Sequence, residues 1–307
     1  MTIRTGGTAN RTCAAWRNDN PCGGAACNSL RWCGILVKFL LYVKTVDCDW
    51  LRSLGPTGRG PRWMEARIDY VLHIQDQVTG KKVVLEVCAY SLEAAIAAEA
   101  GGADRVELCA NPLEGGVTPS YGDIVLARQN LKIELFVLIR PRGGDFLYSA
   151  RELAAMKEDI QLCKRLGVDG VSLGILLPDG QVDRERCREL VLLAKPMSVT
   201  FHRAFDMTAD PFAALEEIIA IGCNRILTSG QANFAVQGAS LIRELVERAG
   251  ERITIMAGGG VRAENLAQLI AATDAREFHT SARMSAPKQD AIPQYERQPG
   301  RCSGKRR

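Results

Sequence analysis

Val83-Val84-Leu85-Glu86-Val87-Cys88-Ala89-Tyr90-Ser91-Leu92 is the stretch on which the choice of architecture turns. Val83–Ala89 is a short β-rich run. The next ten residues change texture, with Leu92, Ala95, Ile96 and Glu99 at helical spacing over Ser91–Ala100. Only Tyr90-Ser91-Leu92 joins the two, with no glycine. A doubly wound open sheet usually places a phosphate-binding glycine loop after its first strand. This junction argues against that arrangement.

The same alternation continues outward from there. Further β-rich runs are Arg105–Cys109, Lys132–Ile139, Gly170–Leu176, Met197–Arg203, Asn224–Ser229, Arg252–Ala257 and Arg276–Ser281. Helical periods fall over Ala150–Leu166, Asp183–Leu193, Asp210–Ile221, Gln237–Ala249 and Arg262–Ala272, with Asp210-Pro211 as an N-cap and first-turn pair. Strand starts recur roughly every 20–40 residues, the size of a βα unit. Eight such units predict an α/β fold of the (β/α)8, or TIM-barrel, type over residues 81–283.

Both flanks depart from this pattern. Residues 1–80 mix Gly, Asn, Arg and Cys, turn apolar over Ile35–Val46, and break at Gly55-Pro56 and Gly60-Pro61. They read as an unassigned N-terminal extension, poorly ordered or variable. Residues 284–307 stand where the eighth helix belongs, yet hold Pro287, Pro293 and Pro299. Three prolines forbid a long regular helix, so the eighth helix is expected to be missing or replaced by a disordered basic tail. The segment near Ile35–Val46 is one candidate to cover the groove so exposed; a weakened barrel is the alternative.

Composition narrows the function classes. The chain is 47% hydrophobic and 24% charged, enough apolar residue for a full core. Its longest apolar run, Gly34–Val43, spans ten residues around Lys38, half of the ~20 a membrane span needs. The net charge of +4 belongs to the ends. Residues 1–80 carry 10 Lys+Arg against 6 Asp+Glu, and residues 284–307 carry 6 against 2. The middle carries 23 against 27, so nothing marks the body as a nucleic-acid binder. None of the eleven cysteines forms a Cys-x-x-Cys pair, which sets aside zinc-ribbon and thioredoxin readings. With no secretory signal, reduced thiols in the cytosol, the nucleus being admitted, are the expectation. The Arg-containing, acid-poor first 33 residues leave organelle targeting as a weaker alternative.

The candidate chemistry lies at strand ends. Glu86 and Cys88 share one face of the first strand, and Glu107 and Cys109 share one face of the second. Aligned as copies, Leu-Glu-Val-Cys and Val-Glu-Leu-Cys put two sulfurs on strands ~4.8 Å apart. Such a pair suits a soft ion such as Cu(I); two small buried core side chains suit the pattern as well. The glutamates need partners when buried. Arg140, His202 and Arg203 are the candidates; Glu86 and Glu107 are then acid–base catalysts beside arginine anion clamps, or members of a structural ion-pair network with Arg140 and Arg203. His202 suits a general base, proton shuttle or divalent-metal ligand, with Asp206 orienting it or capping the next turn. Anion binding is assigned to Arg140 and Arg203 with Ser229, Gly258, Gly259 and Ser281, because small-residue loops after strands seven and eight commonly hold phosphate. Tight βα turns would need the same glycines.

These runs together resemble the CutC family of copper homeostasis proteins, which have a TIM-barrel fold. The resemblance covers about residues 83–283. It is carried by Leu85–Cys88, Gly102–Cys109, Glu114–Ser120, Ile139–Phe146, Thr200–Asp206, Leu227–Gly230, Met256–Val261 and Glu277–Ala282. It implies a cytosolic protein that binds Cu(I) through Cys88 and Cys109, with the copper ion as its partner and a homo-oligomer admitted. The charged pocket of Glu86, Glu107, Arg140, His202 and Arg203 supports an alternative. This is a TIM-barrel enzyme acting on a small anionic or phosphorylated metabolite.

Overall fold

Eight parallel strands close on themselves in chain order, and the computed structural model describes residues 83–281. The strands are β1 Val84–Ala89, β2 Arg105–Leu108, β3 Glu134–Leu138, β4 Gly170–Leu173, β5 Ser198–Phe201, β6 Arg225–Thr228, β7 Thr254–Gly258 and β8 Glu277–Ser281. Seven α-helices occur among the described residues: α1 Leu92–Ala100, α2 Tyr121–Asn130, α3 Ala150–Arg165, α4 Arg184–Ala194, α5 Pro211–Ile221, α6 Ala239–Ala249 and α7 Ala263–Thr273. The fold is the expected (β/α)8 barrel. The expectations for residues 1–80 and 284–307 fall outside the described residues. No described helix is long and apolar enough to cross a membrane.

Local chemistry explains most boundaries. Ser149 and Glu152 form a reciprocal capping box at the start of α3. Asp210 caps α5, with Pro211 in its first turn. Helix α2 has no counterpart in the sequence analysis. It buries only Ile124 and Ala127, while Tyr121 and Leu126 face solvent, so its apolar period is blurred.

Strand residues alternate between two environments. Outward side chains such as Val87, Val106, Leu135, Val171, Val199 and Phe278 pack under the helices in one continuous apolar cluster. Inward side chains are largely polar. The lower interior is an ion-pair layer. Arg105 reaches Glu86 and Glu277, both at 2.5 Å, and Arg225 reaches Glu277 at 2.8 Å. The Phe136 ring lies 4.8 Å from the Arg105 guanidinium and 5.1 Å from that of Arg225. Above this layer, at the C-terminal ends of the strands, lies the mouth.

The two sequence copies are not in register. Cys88 stands opposite Glu107, and Glu86 opposite Arg105. The stagger is two residues from the expected alignment, so the inward face is kept while the strands slip past each other.

Candidate functional site

Barrel closure assembles the site. Strand β8 pairs with β1 so that His279 lies beside Glu86 and Ser281 beside Cys88. His279 Nδ1 is 2.7 Å from Glu86 Oε1, and its Nε2 is 3.8 Å from Glu107 Oε2. The thiols of Cys88 and Cys109 are 3.5 Å apart, and Cys109 Sγ is 3.5 Å from Glu107 Oε2. Donor atoms of Cys88, Glu107 and His279 lie within 4.8 Å of one another. Sulfur, imidazole and carboxylate thus converge on one point.

Electrostatics in this cluster follow from burial and from each neighbour. Burial alone would raise the Glu86 carboxyl, but the hydrogen bond and charge of His279 and the Arg105 guanidinium outweigh it and hold it at about 2. Burial pushes the Glu107 carboxyl up to about 7, with the His279 charge opposing and the Cys88 and Glu86 charges adding. The Cys109 hydrogen bond, helped by His279, outweighs burial and lowers the Cys88 thiol to about 5. Burial and the neighbouring Cys88 push the Cys109 thiol well above its usual range. Burial disfavours the His279 imidazolium, but Cys88, Glu86 and Glu107 together raise it well above 6.5. Cys88 is thus shifted toward its thiolate and His279 toward its imidazolium, with Glu86 bonded to the ring.

The glutamates find other partners than expected. Arg105 and His279 hold Glu86, and His279 and Cys109 approach Glu107. Arg140 instead donates to the carbonyls of Glu114, Gly116 and Gly144 at 2.7–2.8 Å. Arg203 pairs with Asp206 at 2.7 Å and donates to Ser229 at 2.8 Å. Asp206 does not orient His202. Its carboxylate accepts from Thr228 Oγ1, Ser229 and the Gln231 N–H, clamping the loop after β6.

A cavity of about 430 Å³ opens at the mouth. Cys88, Glu107 and His279 line it, as do Arg140, His202, Arg203, Gly259 and Ser281. Ser229 is tied into the Asp206 clamp, with its hydroxyl also bonded to the Ala232 carbonyl. Gly258 lies in β7, where an added Cβ would meet the Leu227 side chain at 2.4 Å.

This barrel matches a known family over the same span. A model of the CutC family fits residues 83–284. The chain belongs to the CutC family. A CutC family protein of Chromobacterium violaceum is 58% identical over 200 residues, covering 65% of this chain and 81% of that protein. The human copper homeostasis protein cutC homolog is 50% identical over 200 residues, covering 65% of this chain and 73% of that one. The crystal structure of a CutC protein from Streptococcus agalactiae superposes with a TM-score of 0.63 at 38% identity, covering 66% of this CutC-family chain and 99% of that one.

His279 and Arg105 are the site residues that sequence reasoning missed. Closing strand eight onto strand one would have placed His279 beside Glu86. Arg105 stands at a strand start, where an arginine reads as exposed, yet its side chain is 2% exposed.

Proposed function

We propose that this chain binds one Cu(I) between Cys88 and Cys109, with His279 as third donor, and so takes part in copper homeostasis. The observation that carries this is the 3.5 Å contact between the two thiols, with Cys88 on the cavity wall and grouped there with Glu107 and His279. Two sulfurs and one imidazole nitrogen are soft to borderline donors, the set that favours Cu(I) over hard cations. Glu86 supports it as the carboxylate that fixes the His279 ring, an arrangement common behind metal-bound histidines. The names of the human and mouse relatives, both copper homeostasis protein cutC homologs, point the same way.

Each residue has a distinct task in this reading. Cys88 offers a thiolate. Cys109 and His279 each lose a proton as the ion enters, so uptake releases protons. Glu107 stands beside the thiols, and its carboxyl, raised by burial, stays neutral more easily next to their negative charge. Anaerobic titration of Cu(I) against a chromogenic chelator tests the assignment. One tightly held ion per chain is expected, abolished in the Cys88→Ser/Cys109→Ser variant; retention of stoichiometric Cu(I) by that variant would sink it. Zn(II) also accepts sulfur and imidazole, so a Zn(II) arm must compete less well than Cu(I).

A further inference from the structure

The part of the cavity lined by Arg140 and His202 is not explained by an ion at Cys88. We propose that it is a receptor for the oxyanion, carboxylate or phosphate, of a small organic molecule. Two buried N–H groups, His202 Nε2–H and Arg140 Nε–H, have no acceptor among the described residues.

His202 is 5% exposed and lines the cavity. Its Nδ1 accepts the Ala204 N–H at 3.2 Å, so the ring proton sits on Nε2. Burial and then the nearby Arg140 charge push this imidazole down to about 3, which keeps it neutral. Its Nε2–H has no acceptor among the described residues. Leaving a buried donor unmade costs ~1–3 kcal/mol, so such groups generally have a partner.

Arg140 repeats the pattern with a full charge. It is 7% exposed, and three backbone carbonyls fix its terminal nitrogens. Its Nε–H is buried and unpartnered. Among the described residues no carboxylate forms an ion pair with it, whereas Arg105, Arg203 and Arg225 each have one. Buried cations are normally paired with an anion. Phe146 holds the two groups together, 5.0 Å from the Arg140 guanidinium and 5.0 Å from the His202 ring.

Two glycines on the cavity wall are required by their positive φ and by the side chains packed against them. Gly259 and Gly260 line the cavity with φ of +95° and +72°. An added Cβ at Gly259 would lie 3.0 Å from Ser229 Cβ and 3.5 Å from the Arg203 guanidinium carbon. Donors after β3 and β5 therefore line a volume of about 430 Å³. That lies within the ~300–1,000 Å³ typical of small-molecule pockets. Glu107, Cys88 and His279 line the same cavity, so the cationic Arg140 and the acidic and sulfur groups face one shared space.

The test uses the full chain free of copper. Inorganic phosphate and malonate are titrated calorimetrically against sodium chloride of matched ionic strength, with thermal unfolding alongside. One saturable site per chain is expected, with Tm raised by about 5 °C at a hundredfold excess over Kd. Saturation by phosphate alone assigns a phosphate ester, and by malonate alone a carboxylate. His202→Phe keeps a ring beside Phe146 and removes the N–H; it should weaken binding at least tenfold. The His202 Nε2–H resonance should shift on anion addition, a signal that a purely structural histidine would not give. The Cys88→Ser/Cys109→Ser variant should retain the anion isotherm, which separates this inference from the copper reading. No saturation beyond chloride by either anion, or an unchanged Kd in His202→Phe, overturns it.

Discussion

The lower and upper layers of the barrel interior are built from similar residues and reach opposite outcomes. Below, Arg105 and Arg225 meet Glu86 and Glu277 in ion pairs of 2.5–2.8 Å. Above, Cys88, Cys109, Glu107 and His279 crowd together, and Arg140 and His202 keep unpartnered N–H groups. The lower layer is closed chemistry: every charge has its counter-charge, and nothing remains to bind. The upper layer is open, and open groups at the C-terminal end of a barrel mark where ligands go. Charge inside a barrel is therefore not by itself a sign of function. Unmet charge is.

That contrast can be broken most sharply from below. Replacing Arg105 with Met leaves Glu86 and Glu277 buried without their shared cation. A loss of about 3–5 kcal/mol in urea unfolding is expected; a loss under about 1 kcal/mol would show that the layer is not the saturated network described here. Glu86, held by His279 above and Arg105 below, has an acid signature. Glu86 is held at about 2 in the folded chain against an ordinary 4.5. Its contribution is fully present above about pH 4.5 and is lost as pH falls toward 2. The contribution is on the order of 3 kcal/mol. Stability measured across that window should fall with pH, and Glu86→Gln should flatten the slope.

The rim is an intermediate case. Asp206 is saturated by Arg203, Thr228, Ser229 and Gln231. Asp206→Ala should cost about 2 kcal/mol and leave Cu(I) stoichiometry at one per chain. The smallest expected effect belongs to the open layer. Cys88→Ser and Cys109→Ser should each change stability by no more than about 1 kcal/mol, because serine conserves shape and each hydroxyl keeps polar neighbours, the other sulfur and Glu107 or His279. A much larger loss would return both thiols to the role of core filler.

The sequence carried the architecture further than the site. All eight strands announce themselves, because β-rich runs and helical periods differ along a single chain. Helix α2 stays hidden because two buried residues, Ile124 and Ala127, make too short a stripe. The shared face of Glu86 with Cys88, and of Glu107 with Cys109, is local and legible. Register is not local: the stagger that sets Cys88 against Glu107 follows from ring closure. His279 escaped for the same reason, since it lies 193 residues from Glu86 in sequence. The partners of Arg140 escaped because they are loop carbonyls, which no side-chain pattern encodes.

Copper K-edge X-ray absorption on the anaerobic protein loaded with one Cu(I) per chain tests the open layer most directly. Two sulfur neighbours and one imidazole nitrogen are expected, falling to one sulfur in Cys109→Ser and losing the nitrogen in His279→Gln. A spectrum without sulfur, or one unchanged by both substitutions, would contradict the assignment of this layer as the ligand set.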